Sequence, residues 1–274
     1  MVDLKSVFPT ITAFIAFIIT LCCLFAGTQK NLLGDVNLLT LYTPEGGSTS
    51  AAHDFYSVHV MSYCQGTLGT ASPGASDTPR NVTSCSSRTI LFSFDPTAAW
   101  TKEITHGPGL EWPRVISDDF HAFRMTSRAM AVLYIIGVGA VGLVLLVKAV
   151  SLAMPRAGHG LFEFGFFVVS ACPLVTVTVT VTVTVTMTCL GSLSISIASI
   201  IATVIAFEFV ALINAHGDGS NVSARYGNKF LGMTWASTGL LLIGSLGSFI
   251  NVFVRGVYVP RAPEPVPKDE EEEG

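Results

Sequence analysis

The residues of this chain that could do chemistry are few, and their spacing narrows the chemistry open to them. Gly137-Val138-Gly139-Ala140-Val141-Gly142 spells the G-x-G-x-x-G pattern of a dinucleotide-binding turn. Such a turn needs a strand before it, a helix after it and an acidic residue about 20 positions on. Here the pattern lies inside an unbroken apolar run, where small residues let helices approach closely, so no cofactor is expected. Ser, His and Asp all occur between residues 28 and 128, but without a G-x-S-x-G elbow, an H-E-x-x-H helix or a P-loop. No catalytic residue is assigned, and the chain is expected not to be an enzyme. His53, Asp54, His59, His106 and His121 are scattered without the spacing of metal ligands, and no metal is expected. Glu208 is the one acid well inside an apolar run. Intramembrane acids default to a functional hypothesis. This one sits near the end of its helix, where it can reach headgroups or stay protonated, and an interfacial role is the stronger reading.

The elements that position these residues follow from composition. Of 274 residues, 50% are hydrophobic and only 12% charged, about half the charged share of a soluble domain. The mean hydropathy is +0.59. A net charge of -4 carries no basic footprint, so nucleic acid is excluded as a partner. The apolar residues come in blocks of about 20, the length that crosses a bilayer as a helix. Spans are expected at 7–27, 129–150, 190–213 and 230–254. Pro9 falls in the first turn of the first span, where a missing N–H does little harm. That span reads as a retained anchor, its apolar run being long for a cleaved leader. Lys148 can snorkel from the far end of the second.

Between Leu161 and Ala215 the apolar stretch is too long for one upright helix, so four or five crossings are open. Asn81-Val82-Thr83 and Asn221-Val222-Ser223 have the form of glycosylation acceptors, usable only on the outer side. Four crossings put Asn81 and Asn221 outside and Arg156, His159, Arg255, Arg261 and Lys268 inside, as the positive-inside rule requires. Both termini are then cytoplasmic: residues 1–6 at the start and a Pro/Glu-rich tail, 255–274, at the end. The remainder divides into an extracellular segment at 28–128, a cytoplasmic one at 151–189 and a short outer loop at 214–229. Within 151–189, Val175 to Thr186 is a strict Val-Thr repeat. Its period of two reads as a strand, but an unpaired strand in lipid leaves its backbone groups unsatisfied. Membrane burial therefore favours helix, and the repeat is expected to lengthen the cytoplasmic end of the third helix.

The segment at 28–128 is the one place for a folded extramembrane module. Leu38 to Tyr42, Phe55 to Tyr63 and Thr89 to Phe94 are short β-type runs. In the second, Tyr56, Val58 and Val60 alternate with Ser57 and His59, which suits a sheet with one wet face. Thr67 to Pro79 is rich in turn residues and reads as a loop. Of six cysteines, only Cys64 and Cys85 lie outside the membrane, so one pairing is available there. A disulfide would close a loop of about 20 residues; metal binding would need more ligands, and a redox pair usually reads C-x-x-C. The expected fold is an all-α membrane protein. It is a four-helix transmembrane bundle with a small, disulfide-stapled, β-containing extracellular domain between the first two helices.

Several motifs in this frame resemble a known family. Phe55-Tyr56-Ser57-Val58, Tyr63-Cys64-Gln65-Gly66, Cys85 and Phe92-Ser93-Phe94-Asp95-Pro96 are similar to the signature of fungal four-span proteins. That family contains the cortical-patch (eisosome) membrane proteins and the PalI pH-response regulators, and its architecture is claudin-like. Gly227 to Ala236, with Trp235, resembles the family's lead-in to its last helix. The resemblance implies a plasma-membrane protein of static cortical domains, with roles in membrane organisation, endocytosis and wall integrity. PalI-like pH signalling is the alternative, and transport by a claudin-like or channel-like path is another. The expected partners are membrane lipids and further copies of the chain or other cortical membrane proteins. Ser194, Ala198, Ala202 and Ala206 recur at spacing four on the third span, as Gly244 and Ser248 do on the fourth. They are candidate packing seams, with Gly244 and Ser248 expected to fill the groove on the third helix.

Overall fold

A computed structural model describes residues 4–29, 33–42, 54–69, 80–89, 114–153, 173–216 and 222–257. Four helices carry the chain: α1 (Leu4–Phe25), α2 (Arg114–Ala153), α3 (Pro173–His216) and α4 (Asn228–Val257). Each holds an apolar window long enough to cross a membrane: Phe8–Phe25, Ala122–Val150, Val183–Ala215 and Asn228–Gly247. They close a ring in which α1 touches α2 and α4, and α3 touches the same two, α2 with α3 being the broadest contact. α1 starts at Leu4, so Pro9 falls beyond the first turn, inside the helix. Thr12 Oγ1 donates to the Pro9 carbonyl at 3.0 Å.

The helices outrun the expected spans. α2 begins about four turns before residue 129, so residues 114–128 are helix rather than loop. Its polar start contains no Gly or Pro to stop it, and Phe123 packs on Phe209 of α3 with ring centroids 4.4 Å apart. α3 opens at Pro173, whose missing N–H is harmless at a first helical position, and takes in the whole Val-Thr repeat. Thr188 Oγ1 donates to the Thr184 carbonyl at 2.7 Å. A β-branched repeat is thus helical, the state in which the chain satisfies its own backbone.

Five strands form one antiparallel sheet in the order β4-β3-β2-β1-β5: β1 (Leu39–Tyr42), β2 (Phe55–Val58), β3 (Tyr63–Leu68), β4 (Arg80–Cys85) and β5 (Ser223–Tyr226). The run from Phe55 to Tyr63 is therefore two strands, split by a turn in which His59 N donates to the Ser62 carbonyl at 2.9 Å. Thr67 and Leu68 belong to β3, and residues 70–79 lie outside the described residues. Thr89 is not in a strand, although its N–H bonds the Met61 carbonyl; 90–94 also lie outside the description. The fifth strand comes from the connection between α3 and α4. The Asn214 side chain imitates a strand neighbour for it, accepting from Ala224 N at 2.8 Å and donating to Ala224 O at 3.1 Å.

The expected wet face is closed. Ser57 and His59 are each only 2% exposed, as buried as Tyr56 and Val58 on the other face. Tyr56 and Val58 join the core continuous with the helices. The opposite face is covered by Leu33 to Asn37: the Val36 carbonyl bonds His59 Nδ1 at 3.0 Å, and Asn37 bonds the Thr40 hydroxyl. Alternation therefore marks the two faces without revealing that both are covered.

Candidate functional site

The sheet is fixed to the bundle at the end of α1. Gly27 stops that helix with φ 70, the left-handed cap that glycine adopts without strain. Its carbonyl accepts the Ser62 hydroxyl at 2.9 Å and stands 3.2 Å from Cys64 Sγ. Cys64 is bonded to Cys85, tying β3 to β4 directly above the helix end. Ser86 holds the same corner, its N–H donating to the Tyr63 carbonyl and its hydroxyl accepting from Tyr63 N, and Arg88 lies over the Phe25 ring at 5.6 Å. His59 completes the joint. Its Nδ1 meets the Val36 carbonyl, its Nε2 has no partner, and burial pushes its pKa down to about 4 despite the Val36 bond. An imidazole in this setting is a neutral wedge between α1 and the sheet. Sequence reading left His59 on a wet strand; the signal that could have found it was a glycine just after a span facing a histidine in a strand.

Below the joint, the bundle axis is filled. Ser199 Oγ donates to the Ile195 carbonyl at 2.8 Å and is met by Tyr134 Oη at 3.3 Å and Thr238 Oγ1 at 3.2 Å. With its single proton engaged, Ser199 accepts from both, so α2, α3 and α4 share one buried hydroxyl cluster. Tyr134 also meets the edge of Phe230. The glycine-rich run on α2 crosses α3 at Gly191: a Cβ on either Gly137 or Gly191 would lie 3.2 Å from the carbonyl oxygen of the other. Close backbone approach of this kind is how helices associate in lipid.

Of the stripe on α3, Ser194, Ala198, Ala202 and Ala206 are all buried. Gly244 does not fill that groove. A Cβ there would lie 2.5 Å from Thr12 Oγ1, so Gly244 admits α1 instead. Ser248 is in α4, its side chain outside the described residues. Lys148 reaches α1, donating to Thr10 Oγ1 at 3.2 Å. Glu208 is exposed on α3, near the sheet end.

The motif residues divide by role. Phe55 and Tyr56 are core of the sheet, Gly66 sits at the register shift between β3 and β4, and Tyr63 packs near Tyr56. Trp235 is exposed on α4 with its Nε1 donating to Thr203 Oγ1 at 3.0 Å. Phe207 and Tyr226 meet at a tilt at the sheet end, ring centroids 4.8 Å apart and both exposed. Aromatic residues in such positions suit a membrane interface. Asn81 is exposed on β4. Asn221, Phe92, Phe94, Pro96, His53, His106 and the acidic tail lie outside the described residues, as does the His121 side chain. Among the described residues no cluster of His, Cys, Asp and Glu could hold a metal ion.

The sequence model of the SUR7/PalI family matches residues 6–247, from α1 through the sheet to most of α4. No curated protein matches the chain.

Proposed function

The chain belongs to the SUR7/PalI family, and from that membership we propose that it is a non-enzymatic organiser of cortical domains in the plasma membrane. It holds both termini in the cytoplasm and stands its sheet on the outer side, where Asn81 and Asn221 are glycosylated. It packs laterally against other copies or other cortical membrane proteins, contacts the surrounding lipids, and supports endocytosis and wall integrity.

The observation that carries this reading is the contrast between a filled axis and bare flanks. The hydroxyls of Tyr134 and Thr238 both bond that of Ser199 inside the bundle, whereas a conduit needs polar groups facing a lumen. Phe14, Ile18, Leu143, Leu193, Ile197 and Leu246 face outward from the bundle, an apolar surface open to lipid and to lateral partners alike. A bundle whose polar groups bond one another between its helices suits a scaffold better than a channel. Imaging a tagged copy in intact cells tests it: stable surface patches are expected, together with no ion flux through reconstituted liposomes. A diffuse, freely mobile signal would end the organiser reading. Ambient-pH signalling is the second reading, supported by the same family membership, since the family includes PalI-type proteins; His59, already neutral above about pH 6.5, adds nothing to it. Cells lacking the protein that keep their patches but lose their response to alkaline medium would select it.

A further inference from the structure

A cleft of about 430 Å³ opens between the sheet and the start of α4, lined by Leu33 to Val36, Phe55, Ser57, Arg80, Val82 and Lys229. Its charges do not cancel. Lys229 Nζ donates to Asp35 Oδ2 at 2.8 Å, while Arg80 Nη2 stays 3.9 Å from Asp35 Oδ1 and its Nη1 donates to Thr40 at 3.2 Å. Two cations thus face one carboxylate, which the Lys229 hydrogen bond keeps ionised by holding its pKa below the ordinary value. The Lys229 side chain is 65% exposed at the mouth, and the first turn of α4 adds the partial positive charge of a helix start.

The place of the cleft is as telling as its charge. The apolar window of α4 begins at Asn228, so Lys229 stands where the chain enters lipid. At the lip, Leu33 is exposed and holds φ 50, a left-handed conformation that non-glycine residues rarely adopt. An apolar side chain is thereby offered next to a cationic cleft at the membrane boundary. The volume is in the range of small-molecule sites and exceeds what a bare inorganic ion fills.

We propose that this cleft binds a phosphate ester of headgroup size, with Arg80 and Lys229 taking the phosphate oxygens and Leu33 covering the first carbons of the attached chain. The occupant is a membrane lipid with an anionic phosphodiester headgroup, glycerolipid or sphingolipid, in the leaflet beside the sheet. Asp35 competes with the phosphate for both cations and sets the affinity. The assignment stands apart from the organiser reading, since it needs only a chain embedded in lipid.

The full chain in nanodiscs of phosphatidylcholine with a minor share of phosphatidylinositol provides the test, with retained lipid read by native mass spectrometry. Wild type should keep phosphatidylinositol about tenfold over phosphatidylcholine, a step of the size one charged contact gives. Arg80→Gln with Lys229→Gln should bring that ratio to unity. Asp35→Asn should raise retention severalfold, a gain that misfolding cannot imitate. In a second arm, protein in neutral detergent is titrated with inorganic phosphate and with glycerophosphoinositol. Retention confined to the lipid arm assigns the membrane lipid. A thermal shift with the soluble ester, enlarged by Asp35→Asn, keeps the anion site and reassigns its source. Equal retention by all three proteins with no shift in the second arm overturns the proposal.

Discussion

The imidazole of His59 occupies the space that a side chain on Gly27 would need: a Cβ there would lie 2.2 Å from the ring carbon Cδ2. One residue ends a membrane helix and the other turns a strand, so their contact sets the angle at which the sheet stands on the bundle.

Replacing Gly27 with alanine should therefore strike twice. The φ of 70 is a conformation that disfavours L-residues by about 1–2 kcal/mol, and the new methyl must push His59 aside, where overpacking adds about 1–3 kcal/mol. Gly27→Ala should lower the melting temperature in detergent by several degrees. Gly139→Ala, on an α2 position with open space around it, should leave it unchanged. Equal melting of the two variants would remove the joint from the account.

Acid should loosen the same joint. His59 titrates near 6.5 when unfolded and near 4 when folded, burial being the larger cause. A folded pKa held below the unfolded one means that the unfolded chain binds the extra proton first. Stability is thus full above about pH 6.5 and falls as pH drops towards 4, by a few kcal/mol in all. His59→Phe should flatten the melting temperature between pH 4 and 6.5, though it forfeits the bond to Val36. An undiminished acid slope in that variant would assign the loss to other groups.

β5 offers a local test. Asn214 supplies both bonds that hold Ala224 from the helix side, each of a kind that contributes about 1 kcal/mol. Asn214→Ala should speed amide hydrogen exchange at Ala224 while leaving β2 and β3 protected. Uniform acceleration across the sheet would show that β5 opens only with the whole domain.

What the sequence disclosed, and what it withheld, divides along one line. Apolar length and the two lone extramembrane cysteines are properties of single segments, so the four helices and the Cys64–Cys85 bond were legible. The Val-Thr repeat was legible only through the solvent: its pattern says strand, and lipid burial says helix. Everything that depended on two distant segments meeting was hidden. Ser223 to Tyr226 is too short to announce itself, and becomes a strand because β1 pairs with it and Asn214 clamps it. Ser57 and His59 looked solvated because nothing in their own run shows that residues 33–37 fold over them. Gly244 was matched to the wrong helix for the same reason, since a small residue says that something comes close without saying what.

The stripe on α3 links sequence to assembly most directly, and its two faces can be set against each other. Ala202 is fully buried, while Val204, two positions on, is 46% exposed on the outer surface. A leucine at 202 has no free volume to enter and must separate α3 from its neighbours, the overpacking that typically destabilises by about 1–3 kcal/mol. A leucine at 204 adds one methylene to a surface that already carries Ile197, Ile200 and Phe207. Ala202→Leu should melt several degrees lower in detergent and, if bundle shape governs lateral packing, disperse the surface patches. Val204→Leu should melt with wild type. Loss of patches in Val204→Leu at unchanged melting temperature would place the lateral contact on that outer face. Identical melting of both variants would show that the α3 stripe is not a packing seam at all.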